Sequence, residues 1–242
     1  MHLQLGEIST VVVTSAKMAK EILVTQHPAF ASKPDTLATR IIWYDQGNVV
    51  FTPYGEYWKQ MRKISMMELL CIKRVGSFRF IRQDEISKLV EFINQSSGAG
   101  GCQVINLTDK LFEYSSSVIC RAAFGGICKD KDTMIKRMKI ALALVGGFNL
   151  ADLFPSLKFL PIITGLKHKL LEVHNKIDEI LDDIVKQHKE NHEIGRKCNA
   201  ESGDKDLIDV LLLLQQESGN PDQIPITTRN IKAVILAQIL VI

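Results

Sequence analysis

Apolar positions along this chain recur mostly at helical spacing. The clearest stretch holds Leu166, Leu170, Val173, Ile177, Ile180, Leu181 and Ile184, which advance mostly by threes and fours under a charged opposite face. That stripe predicts a helix over Leu166–His192 that packs on other helices and by itself carries no chemistry. Similar periods predict helices over Phe78–Ser96, Leu107–Phe124, Asp132–Val145, Asp206–Gln216 and Arg229–Ile242. The first residues follow another rule. Leu3-Gln4-Leu5 and Ile8–Val13, on either side of Gly6-Glu7, are rich in β-branched residues and predict a small hairpin. Thr14 or Ser15 then caps a helix running through His27, with Pro28 as its stop. Thr52-Pro53 pairs a hydroxyl cap with proline at the first helical position and predicts a helix to about Leu70. Between Ala29 and Thr52 the pattern is irregular, with a short helix near Thr36–Tyr44. A connection of that length in a compact domain points to function. Gly98–Gly101 and the polar stretch Glu190–Asp204 are the predicted loops.

The last predicted helix is apolar on every side from Ala233 to Ile242, the pattern of a helix surrounded by protein. Its seven large aliphatic side chains represent roughly 10–20 kcal/mol if all are buried, against a net domain stability of about 5–15 kcal/mol. The expectation is a chain that stops inside its own core.

Composition narrows the classes. The 242 residues carry 30 Lys+Arg and 27 Asp+Glu, a net charge of +3, with 46% hydrophobic and 24% charged residues. Such a chain can build a core and is not disordered. A charge of +3 leaves no footprint for nucleic acid. Five Cys, an odd number with no Cys-x-x-Cys pair, make no disulfide scaffold. No secretory leader and no run of 18 apolar residues is present. The acceptor patterns at Asn94-Gln95-Ser96 and Asn106-Leu107-Thr108 are therefore discounted as glycosylation sites.

Few residues suggest chemistry. Trp58 and Arg62 lie four apart on one helical face. An indole N–H and a planar guanidinium offer donors and no acceptor, which suits a carboxylate approaching from the side. The same spacing is met by an arginine stacked on tryptophan at a surface, or by two unrelated residues, and spacing alone favours these over an anion site. His188 and His192, with Cys198 beyond, have a spacing that can hold zinc, but their polar surroundings favour a solvated helix end and no metal site. His168 and His174 share no face, and Asp182-Asp183 reads as solvation. Gly146–Pro155 is an unusually apolar connection, which fits a pocket or membrane contact as well as a loop folded onto its own core.

Several segments carry a family resemblance: Leu3–Lys20, Phe30-Ala31-Ser32-Lys33-Pro34, Pro53–Lys63 (PYGEYWKQMRK), Glu68-Leu69-Leu70 and Lys73-Arg74-Val75. Arg121–Gly125, Ala151–Ser156, Lys158-Phe159-Leu160, Asp206–Leu212 and Asn230–Leu236 continue it. The chain resembles the N-terminal half of plant microsomal cytochromes P-450 of the A-type group, haem-thiolate monooxygenases, and is most similar to the terpenoid-hydroxylase branch. The implied fold is mainly α, an incomplete cytochrome P-450 domain over residues 1–242, with a small N-terminal β hairpin. It would end inside the long central helix.

By this resemblance Trp58 and Arg62 hold a haem propionate. The Ala29–Thr52 stretch corresponds to a loop over the haem, with Ile42, Val50 and Phe51 as substrate contacts. The apolar loop corresponds to the lid connection, with Phe148 facing substrate and Gly146–Leu160 touching the membrane. Lys59, Lys63, Lys73 and Arg74 correspond to the side that docks an acidic NADPH-cytochrome reductase, where charge steers encounter. The family's haem iron takes a Cys thiolate from Phe-x-x-Gly-x-Arg-x-Cys-x-Gly, and none of Cys71, Cys102, Cys120, Cys128 or Cys198 fits that pattern. The acid-Thr motif for oxygen activation, the Glu-x-x-Arg pair and the membrane anchor have no counterpart here either, and Met1 resembles an internal Met of longer relatives. The expectations are a haem monooxygenase of lipophilic terpenoids on the cytosolic face of the endoplasmic reticulum for the intact relative, and a chain inactive alone, cytosolic or peripheral. The alternative is a non-catalytic helical module that engages reductase or membrane.

Overall fold

The computed structural model describes residues 1–45, 47–96, 104–125, 130–146, 149–197, 206–217 and 225–241. Strands β1 (His2–Leu5) and β2 (Ile8–Val11) pair antiparallel, with His2 opposite Val11 and Leu5 opposite Ile8. The turn between them depends on Gly6, whose φ is 62°, and a Cβ there would lie 2.4 Å from the carbonyl oxygen of Leu153. That closeness lets the Glu7 N–H donate to Leu153 O at 2.8 Å, while the Glu7 carboxylate accepts from the Ser156 N–H at 3.0 Å. The hairpin is thus fastened to a distant connection of the chain.

Ser15 caps α1 (Ala16–Lys20), accepting from Met18 N. The helix does not run unbroken to His27: a π-helical turn (Glu21–Thr25) follows, and Pro28 lies in the first turn of a second short helix, α2 (His27–Phe30). Proline costs nothing where the N–H is unpaired anyway, so it opens a helix here instead of closing one. Thr36 caps α3 (Leu37–Ile42) in a reciprocal pair with Thr39. Next come α4 (Glu56–Ile64), a π-helical turn (Ser65–Leu69), α5 (Ile72–Ser77) and α6 (Arg79–Ser96). They are followed by α7 (Leu107–Phe124) and α8 (Lys131–Val145). Two short helices, α9 (Leu150–Leu153) and α10 (Leu160–Ile163), interrupt the apolar connection. Three more helices follow among the described residues: α11 (Leu166–Lys197), α12 (Leu207–Glu217) and α13 (Thr228–Val241).

The stripe on α11 faces inward, with Leu166, Leu170, Val173, Ile177, Leu181 and Ile184 buried and Ile180 half-buried. It packs on α3 and α8, while α12 and α13 pack on α7. Helix α11 also continues five residues beyond His192, into a stretch expected to be loop. Lys, Glu and Arg are good helix formers, so a polar tail can extend a helix already nucleated by packing. On α13, Ile231 and Ala233–Ala237 are all at or below 1% exposure. The apolar run is therefore covered by this chain's own helices as far as Ala237, which removes the burial argument for an exposed core at those positions.

Candidate functional site

The site grows from the turn before α4. The Asn48 side chain accepts from the N–H groups of Val50 (2.8 Å) and Phe51 (3.1 Å), closing an Asx turn. Thr52 joins this turn by donating its hydroxyl to Asn48 O, and the N-cap position of α4 is taken by Gly55, not by Thr52. Helix α4 begins four residues later at Glu56, which suits the positive end of the helix dipole, and Arg62 and Lys63 suit its other end.

Trp58 and Arg62 meet as their spacing predicts. The guanidinium sits over the indole, 5.2 Å from the ring centroid. The indole N–H donates to Val49 O at 2.9 Å, tying α4 to the turn. Arg62 is exposed, and among the described residues no carboxylate pairs with it. A free, planar fork held in one orientation by an aromatic plate is a donor set for a bidentate anion. That chemistry fits a haem propionate; Trp58 serves as the plate, and its N–H reaches an anion only by giving up Val49.

Of the residues expected to line substrate, Ile42 is fully buried at the end of α3, while Val50 and Phe51 are half-buried against the core. Phe51 packs on Trp43 with ring centroids 5.1 Å apart. Phe148 lies outside the described residues, as do Cys102, Cys128 and Cys198. Trp43 and Asn48 are buried, and the Trp43 indole N–H and Asn48 amide nitrogen have no hydrogen-bond partner among the described residues. Unpaired buried donors of this kind cost about 1–3 kcal/mol each.

Of the basic residues, Lys59 pairs with Glu56 at 2.7 Å, which raises its pKa, and lies 5.7 Å from the Tyr54 ring centroid. Lys63 and Lys73 are exposed and Arg74 is half-buried. In the apolar connection Leu150, Leu157 and Phe159 are exposed, and Ile162 and Ile163 extend that surface into α10.

His188 is not on a solvated helix end. It is 2% exposed, with Nδ1 2.8 Å from Ile184 O and Nε2 2.7 Å from an Asp206 oxygen. Asp206 in turn accepts from the Asp209 N–H at 2.9 Å, at the start of α12. The carboxylates of this cluster are thus spent on a histidine and a helix start, which makes it a tie between α11 and α12. His192's side chain is not among those described.

A second polar cluster escaped the sequence reading. Tyr44 and Asp45 both have φ of 55°, in the left-handed region, where non-glycine residues cost about 1–3 kcal/mol each. The buried Tyr44 hydroxyl donates to Asp178 at 2.6 Å. Lys232, only 8% exposed, lies 2.7 Å from the same Asp178 oxygen and 2.6 Å from Asp182. Burial raises the Asp178 pKa, but Lys232 and the Tyr44 hydroxyl outweigh it and hold the carboxyl below its ordinary value. Burial pushes the Tyr44 phenol up and lowers His174, whose ring stands edge-on to Tyr44 at 4.8 Å. The signal was in the sequence: a lysine inside Asn230-Ile231-Lys232-Ala233-Val234-Ile235-Leu236 must find a carboxylate.

Comparison with known proteins bears on the family and the fold. The Cytochrome P450 family model matches residues 1–240. Premnaspirodiene oxygenase of Hyoscyamus muticus is 48% identical over 97% of this chain and 45% of its own length. For 5-epiaristolochene 1,3-dihydroxylase of Nicotiana tabacum the identity is 47%, over 98% of this chain and 46% of that protein. A melianol synthase of Azadirachta indica is 42% identical over the same shares. The chain thus spans about half the length of these curated relatives. Among solved structures, a zebra fish cytochrome P450 with abiraterone superposes at a TM-score of 0.71, covering 100% of this chain and 50% of the other at 20% identity. The same kind of zebra fish protein with progesterone gives 0.69, covering 98% and 51% at 22% identity. Mainly helical, with one hairpin and half the length of these relatives, the chain belongs to the cytochrome P450 family and has a partial form of that fold, a family whose cofactor is haem.

Proposed function

We propose that this chain supplies the propionate-holding and substrate-facing part of a haem-dependent monooxygenase that oxidises a terpenoid. The observation that carries the haem reading is the Arg62 guanidinium, exposed, stacked on Trp58 and without a carboxylate partner among the described residues. The terpenoid class rests on the likeness to relatives named for premnaspirodiene and 5-epiaristolochene oxidation. When bound, haem supplies activation of O2 for insertion of one oxygen atom into a C–H bond. The protein's own part is to bind and orient. Arg62 holds a propionate by paired N–H donors, and Trp58 fixes the plane of the guanidinium. Val50 and Phe51, backed by Ile42 and Trp43, present an apolar wall that excludes water from a lipophilic substrate. Phe148 is read as a further substrate contact, from the lid connection.

Electrons come, in this reading, from an NADPH-cytochrome reductase with an acidic face that meets Lys59, Lys63, Lys73 and Arg74. The exposed apolar side chains within Gly146–Leu160 touch the cytosolic face of the endoplasmic reticulum membrane. None of the five cysteines has the family's ligand motif around it, so the 242-residue chain alone is inactive. The test is the ferrous-CO spectrum of the purified chain incubated with haem. No thiolate-type band is expected; its appearance would overturn the inactive reading. Loss of haem binding on changing Arg62 would support the propionate role, and unchanged binding would remove it.

A further inference from the structure

Tyr44 is a bulky residue in a conformation that favours glycine, and Asp45 repeats it. Two such residues in succession persist only where neighbours over-determine them. Here the neighbours come from two different helices. The Tyr44 hydroxyl donates to Asp178 of α11 at 2.6 Å, and Lys232 of α13 lies 2.7 Å from that same oxygen. Arg229 of α13 pairs with Asp45. Two residues on, the Gly47 carbonyl accepts from the Tyr57 hydroxyl at 2.9 Å, which itself accepts from the Asn230 amide of α13 at 2.6 Å. Three residues of one helical turn, Arg229, Asn230 and Lys232, therefore grip the chain where it leaves α3.

We propose that Tyr44, Asp178 and Lys232 are positioning residues that aim the 43–52 loop and so set which lipophilic substrate its wall accepts. The inference rests on reading that loop as the substrate wall. None of the three touches substrate; they act through Trp43 and Phe51, whose rings pack 5.1 Å apart just beyond the grip. Because one Asp178 oxygen serves both Tyr44 and Lys232, a shift of α13 against α11 moves the wall with it. Specificity would then depend on the packing of two helices as well as on the side chains of the loop.

Amide hydrogen exchange of the 242-residue chain separates this role from a merely structural ion pair. Tyr44→Phe keeps the ring against His174 and removes only the hydroxyl. Its amides over 43–52 are expected to exchange about tenfold faster, as loss of a hydrogen bond to a charged group implies, with α11 and α13 unchanged. The exposed Asp183→Asn on the same helix should change nothing. Asp178→Asn leaves Lys232 half-paired and risks unfolding, so Asp178→Asn/Lys232→Met, which removes the charges together, is its companion and should reproduce the faster loop exchange. Unchanged loop exchange in Tyr44→Phe, or a rise spread evenly over all helices, would overturn the proposal. Titration with 5-epiaristolochene, the compound in one relative's name, read by tryptophan fluorescence, gives the second arm. Binding by the unaltered chain and several-fold weaker binding by Tyr44→Phe are expected. Equal binding by both would overturn the role in specificity. No binding by the unaltered chain would overturn the wall reading, whatever the exchange arm shows.

Discussion

Arg62 stacks on Trp58 at the surface, which costs little, and among the described residues it has no carboxylate partner. Those two facts separate its structural from its functional worth. Surface changes away from buried networks move stability by about 0.5 kcal/mol or less, so Arg62→Ala should leave thermal unfolding nearly unchanged. A charge-assisted hydrogen bond contributes about 1.5–3 kcal/mol, so the same variant should bind haem at least about tenfold more weakly, measured by absorbance titration. Trp58→Phe is the contrasting case. It keeps a plate for the guanidinium but removes the donor to Val49 O. The loss, about 1 kcal/mol for a neutral bond, should appear in chemical denaturation of the chain without haem.

Elements are joined here by buried polar ties as much as by apolar stripes, and His188 shows what a tie implies. Both its ring nitrogens face acceptors, the Ile184 carbonyl and the Asp206 carboxylate. A neutral imidazole has one N–H and can serve only one of them, so the arrangement calls for the doubly protonated ring. Burial opposes that charge, but Asp206 outweighs it and raises the pKa above the ordinary 6.5. The contribution of the pair is therefore complete below pH 6.5 and is lost as pH rises through the folded-state value. His188→Gln should flatten the stability profile on that alkaline side, with urea midpoints measured from pH 6 to 9; an unchanged slope would assign it to other groups. The periodicity of α11 located its buried stripe and the spacing of four placed Trp58 and Arg62 on one helical face, where they stack, because both are written locally, at spacings of three and four. The ties of His188, Tyr44 and Lys232 join residues 18 to 134 positions apart. A local pattern cannot encode such partners. His188 sits in a polar stretch and looks solvated, and Thr52 precedes proline and looks like a cap until Asn48 is seen to claim it.

At the scale of the molecule, exposed apolar side chains occur on many elements, and one run of them is pinned in place. Leu157, Phe159, Ile162 and Ile163 follow one another along the connection into α11, with Ile162 and Ile163 69% and 74% exposed. Polar groups on the same connection are already engaged: Ser156 holds Glu7, and the hairpin turn closes on Leu153. This anchoring matters, because a mobile loop could fold its apolar side chains inward, whereas a pinned one presents them outward. No described helix is long and apolar enough to cross a membrane. Fully burying a side chain of this size is favourable by about 1.5–3 kcal/mol. Losing two and adding two charges should then weaken partition onto vesicles by at least about tenfold. The expected result is that the chain co-sediments with phosphatidylcholine vesicles and that Ile162→Glu/Ile163→Glu does not, while an exposed apolar change elsewhere, Val90→Glu on α6, leaves sedimentation intact. The neutral lipid is chosen because the chain's charge of +3 would bind anionic vesicles through its lysines, and salt sensitivity would then mask the apolar contribution. Equal sedimentation of all three proteins would place the contact on another surface, and none from the unaltered chain would remove the membrane contact proposed for Gly146–Leu160.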